Sequence, residues 1–76
     1  MPDSAAKLQR QFGSTLRTER KARQLTQQEL AFESGLSLTY VGEIERGKRM
    51  ITLDTLQRVA SAKNLTSAEL LARARL

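Results

Sequence analysis

Apolar residues along this chain return at helical intervals, and no segment shows sustained strand alternation. One local pattern recurs within that periodicity. An apolar residue precedes a Ser or Thr, and a second apolar residue follows four positions after the hydroxyl. It occurs at Leu25-Thr26 with Leu30, Leu36-Ser37 with Val41, Ile51-Thr52 with Leu56, and Leu65-Thr66 with Leu70. The hydroxyl suits an N-cap, where it accepts from a free N–H of the first turn. The flanking apolar pair suits a hydrophobic staple over that turn. Glu29 and Glu69 add capping-box spacing to Thr26 and Thr66.

The pattern therefore predicts four helix starts. Gly35 and Gly47 suit left-handed C-caps, and Asn64 does so less readily. Helices are expected at about Ser4–Arg23, Gln27–Ser34, Leu38–Arg46, Leu53–Lys63 and Ser67–Ala74, with Leu8, Phe12 and Leu16 sharing a face of the first. The expected fold class is all-α, a compact five-helix bundle. Met1 to Asp3 and the last two or three residues are expected to fray.

Composition sharpens this picture. The 76 residues fit one domain, 1–76, and a chain of this length buries only about 60% of its unfolded surface. Dimerisation would add burial. Only 4% of residues are aromatic, so the expected core is aliphatic, joined by Phe12 and Phe32. Cysteine and histidine are both absent. Thiolate metal sites, disulfides and His-based catalysis are thereby excluded, and no enzyme, metal or cofactor is expected. No apolar run approaches the ~18 residues of a membrane span, and the N-terminus lacks a secretory core, so a cytoplasmic protein is expected. The net charge of +5 favours an anionic partner, with nucleic acid first among candidates.

The segment Leu25–Gly47 gives that charge a context. Its two short helices meet at Gly35. Ala31, Val41 and Ile44 supply the small and core positions of a helix-turn-helix at about 26–47. Such a unit commonly lays its second helix in the DNA major groove. With Val41 and Ile44 facing the core, Ser37, Leu38, Thr39, Gly42, Glu43 and Arg46 fall on the outer face. Gln27 and Gln28 stand at a helix N-terminus whose free N–H groups suit phosphate. Thr39 and Leu38 can meet base edges, and Glu43 can accept from cytosine or hold a neighbouring arginine. Tyr40 suits either the sugar-phosphate backbone or the edge of the core. Gly42 would leave room for DNA. Arg46, Lys48 and Arg49 form a basic cluster suited to phosphate. Near the C-terminus, Leu71 and Ala74 sit three apart and suit a small apolar stripe for a second subunit, with Leu70 turned inward.

LTQQELA, SGLSLTYVGEIERGKR and TLDTLQRVASAKNL with ELL together resemble the lambda-repressor-like helix-turn-helix family, of the xenobiotic-response-element type. The resemblance spans roughly residues 10 to 71 and includes restriction-modification controllers and small phage repressors. It implies a homodimer bound to double-stranded DNA at a palindromic operator. No small-molecule ligand or membrane partner is implied. Gln27 matches a phosphate-fixing glutamine, and Ser37, Leu38, Thr39 and Glu43 match positions nearest base edges. Arg46, Lys48 and Arg49 match the region that follows the backbone. Arg20 and Glu45 match an internal pair between the first and third helices. Controllers often carry Asp-Arg-Thr-Tyr where this chain has Ser37-Leu38-Thr39-Tyr40, so a guanine-reading arginine is missing at Leu38. Lys63 stands where leucine is common, with its stem expected to be buried and its ammonium exposed. The implied function is transcription regulation, of an autoregulatory controller type. The alternative is a DNA-binding antitoxin or interaction module of a toxin–antitoxin pair.

Overall fold

The computed structural model describes residues 2–76, with five helices: α1 Pro2–Ala22, α2 Gln27–Ser34, α3 Leu38–Glu45, α4 Leu53–Ala62 and α5 Ser67–Arg73. Pro2 opens α1, where its missing N–H costs no helical bond. The hydroxyls of Thr26, Ser37, Thr52 and Thr66 each accept from the backbone N–H three residues on. The boxes Thr26/Glu29 and Thr66/Glu69 are both closed. Bonding to the N-cap backbone holds the Glu29 and Glu69 carboxyls below their ordinary pKa. The staple residues inside the helices, Leu30, Val41, Leu56 and Leu70, are all buried, and Leu36, Ile51 and Leu65 pack against them.

The core is completed by Phe12 and Leu16 of α1, Ala31 of α2, Ile44 of α3, Val59 and Ala60 of α4, and Ala74. Gly35 and Gly47 take the left-handed conformation, as does Asn64. Gln24 and Arg75 do so as well, at an energetic cost for residues with a Cβ. Among the described residues, no helix is long and apolar enough to cross a membrane.

Several expectations are corrected. Phe32 is 87% exposed and takes no part in the core. The inward side of α2 is Leu30, Ala31 and Ser34, which leaves Phe32 on the opposite side. Leu8 keeps to the Phe12 side of α1, where both line one groove, and is itself exposed. Ala74 is buried in the chain's own core, and its carbonyl accepts from Gln11 Nε2 at 2.7 Å. It therefore contributes nothing to an exposed stripe. Lys63 is only 1% exposed and its ammonium has no hydrogen-bond partner, so the stem-buried, head-exposed arrangement does not occur. At the chain ends, Pro2 and Asp3 are helical, and the Leu76 N–H donates to the Leu71 carbonyl at 2.9 Å. The fraying expected at Met1 lies outside the described residues.

Candidate nucleic-acid interface

Two close contacts set the position of α3. Gly13 of α1 lies against the carbonyls of Ile44 and Glu45; a Cβ there would collide with the Ile44 oxygen and lie 3.0 Å from that of Glu45. Only glycine permits this crossing. The second contact is a buried polar node. Arg20 donates from Nε to Glu45 Oε2 at 2.6 Å and from Nη2 to Oε1 at 3.0 Å. Its Nη1 donates to the Leu25 carbonyl at 2.7 Å, reaching the loop before α2. Gln27 Nε2 donates to Glu45 Oε1 at 3.0 Å. The node thus joins α1, α2 and α3 through one carboxylate. The Glu45 hydrogen bond raises the Arg20 pKa, burial opposes it, and the Glu45 charge adds to the rise.

α3 then presents a short polar face. Ser37 caps the helix by accepting from Tyr40 N–H at 3.0 Å, and Ser37, Leu38 and Thr39 are all exposed. Gln28 is exposed at the first turn of α2, on the other side of the turn. Gln27 keeps a second Nε2 hydrogen beyond the one given to Glu45. Gly42 departs from the expected open surface. It is buried, and the Arg46 guanidinium folds back to 3.1 Å from where a Cβ would stand.

Arg46, Lys48 and Arg49 are exposed after the last turn of α3. Arg49 is held twice: Nε donates to Glu43 Oε1 at 3.1 Å, and its guanidinium lies 5.2 Å from the centre of the Tyr40 ring. Glu43 therefore braces an arginine. Tyr40 is half-buried, and its hydroxyl shares a 3.2 Å hydrogen bond with Thr55 of α4. That contact couples α3 to the Thr52 cap, because Thr52 Oγ1 also donates to Thr55 Oγ1 at 3.1 Å. The expected DNA-facing residues thus cluster at the α2 start, the α3 outer face and the loop beyond it. Leu71 is elsewhere, half-buried on α5 beside a groove of about 420 Å³.

Gly13 and Thr55 had no place in the sequence-based site. A glycine inside a helical run is a readable signal, since it costs ~1 kcal/mol against alanine unless space demands it. Thr55 gives no such signal, because its role depends on where Tyr40 packs.

A glycine-turned helix pair with an exposed second helix, braced by α1, defines a helix-turn-helix regulator. The chain belongs to the helix-turn-helix family, which it matches over residues 16–71, and within it to the lambda-repressor-like type of DNA-binding transcriptional regulators. It is 40% identical to the control protein C.SmaI from Serratia marcescens over 62 residues, covering 82% of this chain and 74% of that protein. It is 36% identical to the control protein C.BamHI from Bacillus amyloliquefaciens over 61 residues, covering 79% and 75%. Among solved structures, the restriction-modification controller protein C.AhdI from Aeromonas hydrophila superposes with a TM-score of 0.79 at 42% identity. That match covers 82% of this chain and 94% of that one.

Proposed function

We propose that this chain is a homodimeric, sequence-specific regulator of the restriction-modification controller type, acting on its own operator. Residues 1–76 form one DNA-binding unit in this reading, with α5 at the dimer contact, and the protein works in the cytoplasm without a catalytic role or cofactor. The observation that carries it is the exposed Ser37-Leu38-Thr39 face, flanked by Arg46, Lys48 and Arg49 and anchored from within by Arg20, Glu45 and Gln27.

In this reading α3 enters the major groove. Thr39 offers a hydroxyl and a methyl to base edges, and Leu38 meets a thymine methyl. Ser37 and Tyr40 stand near the sugar-phosphate backbone. Gln28, the second Nε2 hydrogen of Gln27 and the α2 N-terminus hold phosphate, as do Arg46, Lys48 and Arg49. Glu43 acts by aiming Arg49. Two such helices about 34 Å apart read successive major grooves of a palindrome.

Selection of bound DNA from a random pool tests the function. Enrichment of an inverted repeat with half-sites about one helical turn apart is expected. Recovery of no common sequence would overturn sequence-specific regulation.

A further inference from the structure

Arg10 shares a face of α1 with Gly13 and Arg20, the two residues that fix α3 in place. Gly13 packs on the Ile44 and Glu45 carbonyls, and Arg20 binds the Glu45 carboxylate. Arg10 continues the same line past the end of α3. A Cβ on Gly47 would stand 2.7 Å from Arg10 Cγ, 2.9 Å from its Cα and 3.1 Å from its N. Gly47 thus answers two demands: its left-handed backbone makes the turn, and its bare Cα admits α1. That turn leads directly into Lys48 and Arg49. Arg10 Cγ already lies over it, so the free end of the side chain is carried to the basic loop.

The charges gathered there are mostly unanswered. Arg10, Arg46, Lys48 and Arg49 are all exposed. Arg49 is paired with Glu43, but the side chains of the other three have no ion pair or hydrogen bond among the described residues. Elsewhere the arginines are bound: Arg20 to Glu45, Arg23 to the Lys63 carbonyl, Arg58 to Asp54 and Arg73 to Glu19. The last carbonyls of α3 carry partial negative charge, which a single neighbouring cation would meet. Four cations exceed that need, and their mutual repulsion is relieved when a polyanion arrives.

We propose that Arg10 is a further DNA contact, carried by α1 outside the helix-turn-helix, which holds a backbone phosphate beside those held by Lys48 and Arg49. The inference rests on the regulator reading above. A phosphate is its ligand because Arg10 stands over the turn, off the outer face of α3 where Leu38 and Thr39 are exposed. Such a contact fixes the protein's position on the duplex and carries no preference for sequence.

Titration of a random-sequence DNA duplex at several salt concentrations tests the proposal. Arg10→Gln removes the charge and keeps helix propensity nearly unchanged. It should lower the slope of log affinity against log salt by about 0.9. Arg10→Lys should keep the slope, because phosphate accepts either cation. Lys21→Gln removes the same charge roughly 16 Å further along α1 and should leave the slope as it was. An unchanged slope in Arg10→Gln would overturn the proposal. An equal fall in Lys21→Gln would do so as well, since net charge would then matter and position would not. Urea unfolding and sedimentation of Arg10→Gln complete the test, and both should match the unchanged chain. Lost stability with an unchanged slope would make Arg10 a partner of the α3 end, and weaker association with an unchanged slope would place it between copies; either result overturns the contact. Arg46→Ala and Arg49→Ala in the same titration separate the two readings. If they lower the slope and Arg10→Gln does not, this inference alone fails. If none of the three moves it, the DNA reading fails with it.

Discussion

At the scale of single residues, Lys63 sets an energetic cost that the fold carries. Burial is the main cause of its lowered pKa, about 8, with Arg23 and Arg20 adding to the fall and Glu45 and Glu19 opposing it. The folded state therefore prefers the neutral amine. Between pH 8 and the ordinary 10.5 the unfolded chain binds more protons, so stability rises with pH across that window. The penalty is fully present below pH 8 and gone above about 10.5. A shift of this size corresponds to roughly 3 kcal/mol. Lys63→Met should thus stabilise the protein by up to ~3 kcal/mol at pH 7 and remove its share of the alkaline rise, as read by urea unfolding at pH 7, 9 and 10. Equal stability of the two proteins at pH 7 would contradict an uncompensated ammonium. Arg20 and Glu45 should behave oppositely, because each satisfies the other. Arg20→Ala or Glu45→Ala should cost ~3–5 kcal/mol, with the double variant well short of the sum. Additive effects in that cycle would remove the pair as an organising contact. The pair was legible through the family resemblance, whereas the Lys63 ammonium was not. A lysine reads as exposed until the packing at the end of α4 is known. Phe32 misleads for the converse reason: α2 turns Ser34 inward and Phe32 outward, so hydrophobicity alone points the wrong way.

At the scale of elements, helix starts were legible and their mutual approach was not. Each start is written locally, as a hydroxyl with its staple, and the four sequence-assigned N-caps are the N-caps of the structure. The α1–α3 crossing depends instead on two backbones meeting at Gly13. Gly13→Ala should destabilise the protein by ~1–3 kcal/mol through overpacking, although alanine is the better helix former by about 1 kcal/mol. Urea unfolding gives the sign directly; a stabilised variant would mean that α3 can move away without loss. The C-terminal end of α3 carries a different consequence. Arg46→Ala and Arg49→Ala should each weaken binding to any DNA and lower the slope of log affinity against log salt by about 0.9 per lost phosphate contact. Titrations at several salt concentrations measure this, and an unchanged slope in both variants would exclude the cluster. The Glu43–Arg49 pair is largely exposed and is worth only ~0–1 kcal/mol, so losing it should not unfold α3.

At the scale of the whole molecule, assembly turns on which apolar surface the bundle leaves uncovered. The sequence placed it at Leu71 and Ala74, but Ala74 fills the core, and Leu71 instead joins Leu8, Met50, Leu53 and Leu76 around one groove between α1, the loop before α4, and α5. Leu8, Met50 and Leu53 lie far apart in sequence, so no local stripe announces them. Their common location follows only from the packing of α1 against the rest. In a two-fold dimer every substitution in this groove acts twice. Leu71→Glu should shift the protein toward monomer and weaken binding to a full palindrome more than to a half-site, because an unpaired carboxylate at the contact is costly to desolvate. Leu71 is half-buried, so Leu53→Glu, at a position 83% exposed, separates an interface defect from a folding defect. Sedimentation across concentration should show both variants helical and less associated, with full-site affinity falling in step. Folded variants that associate like the unchanged chain would move the dimer contact away from this groove, and an unfolded Leu71→Glu beside an unaltered Leu53→Glu would assign Leu71 to the monomer core.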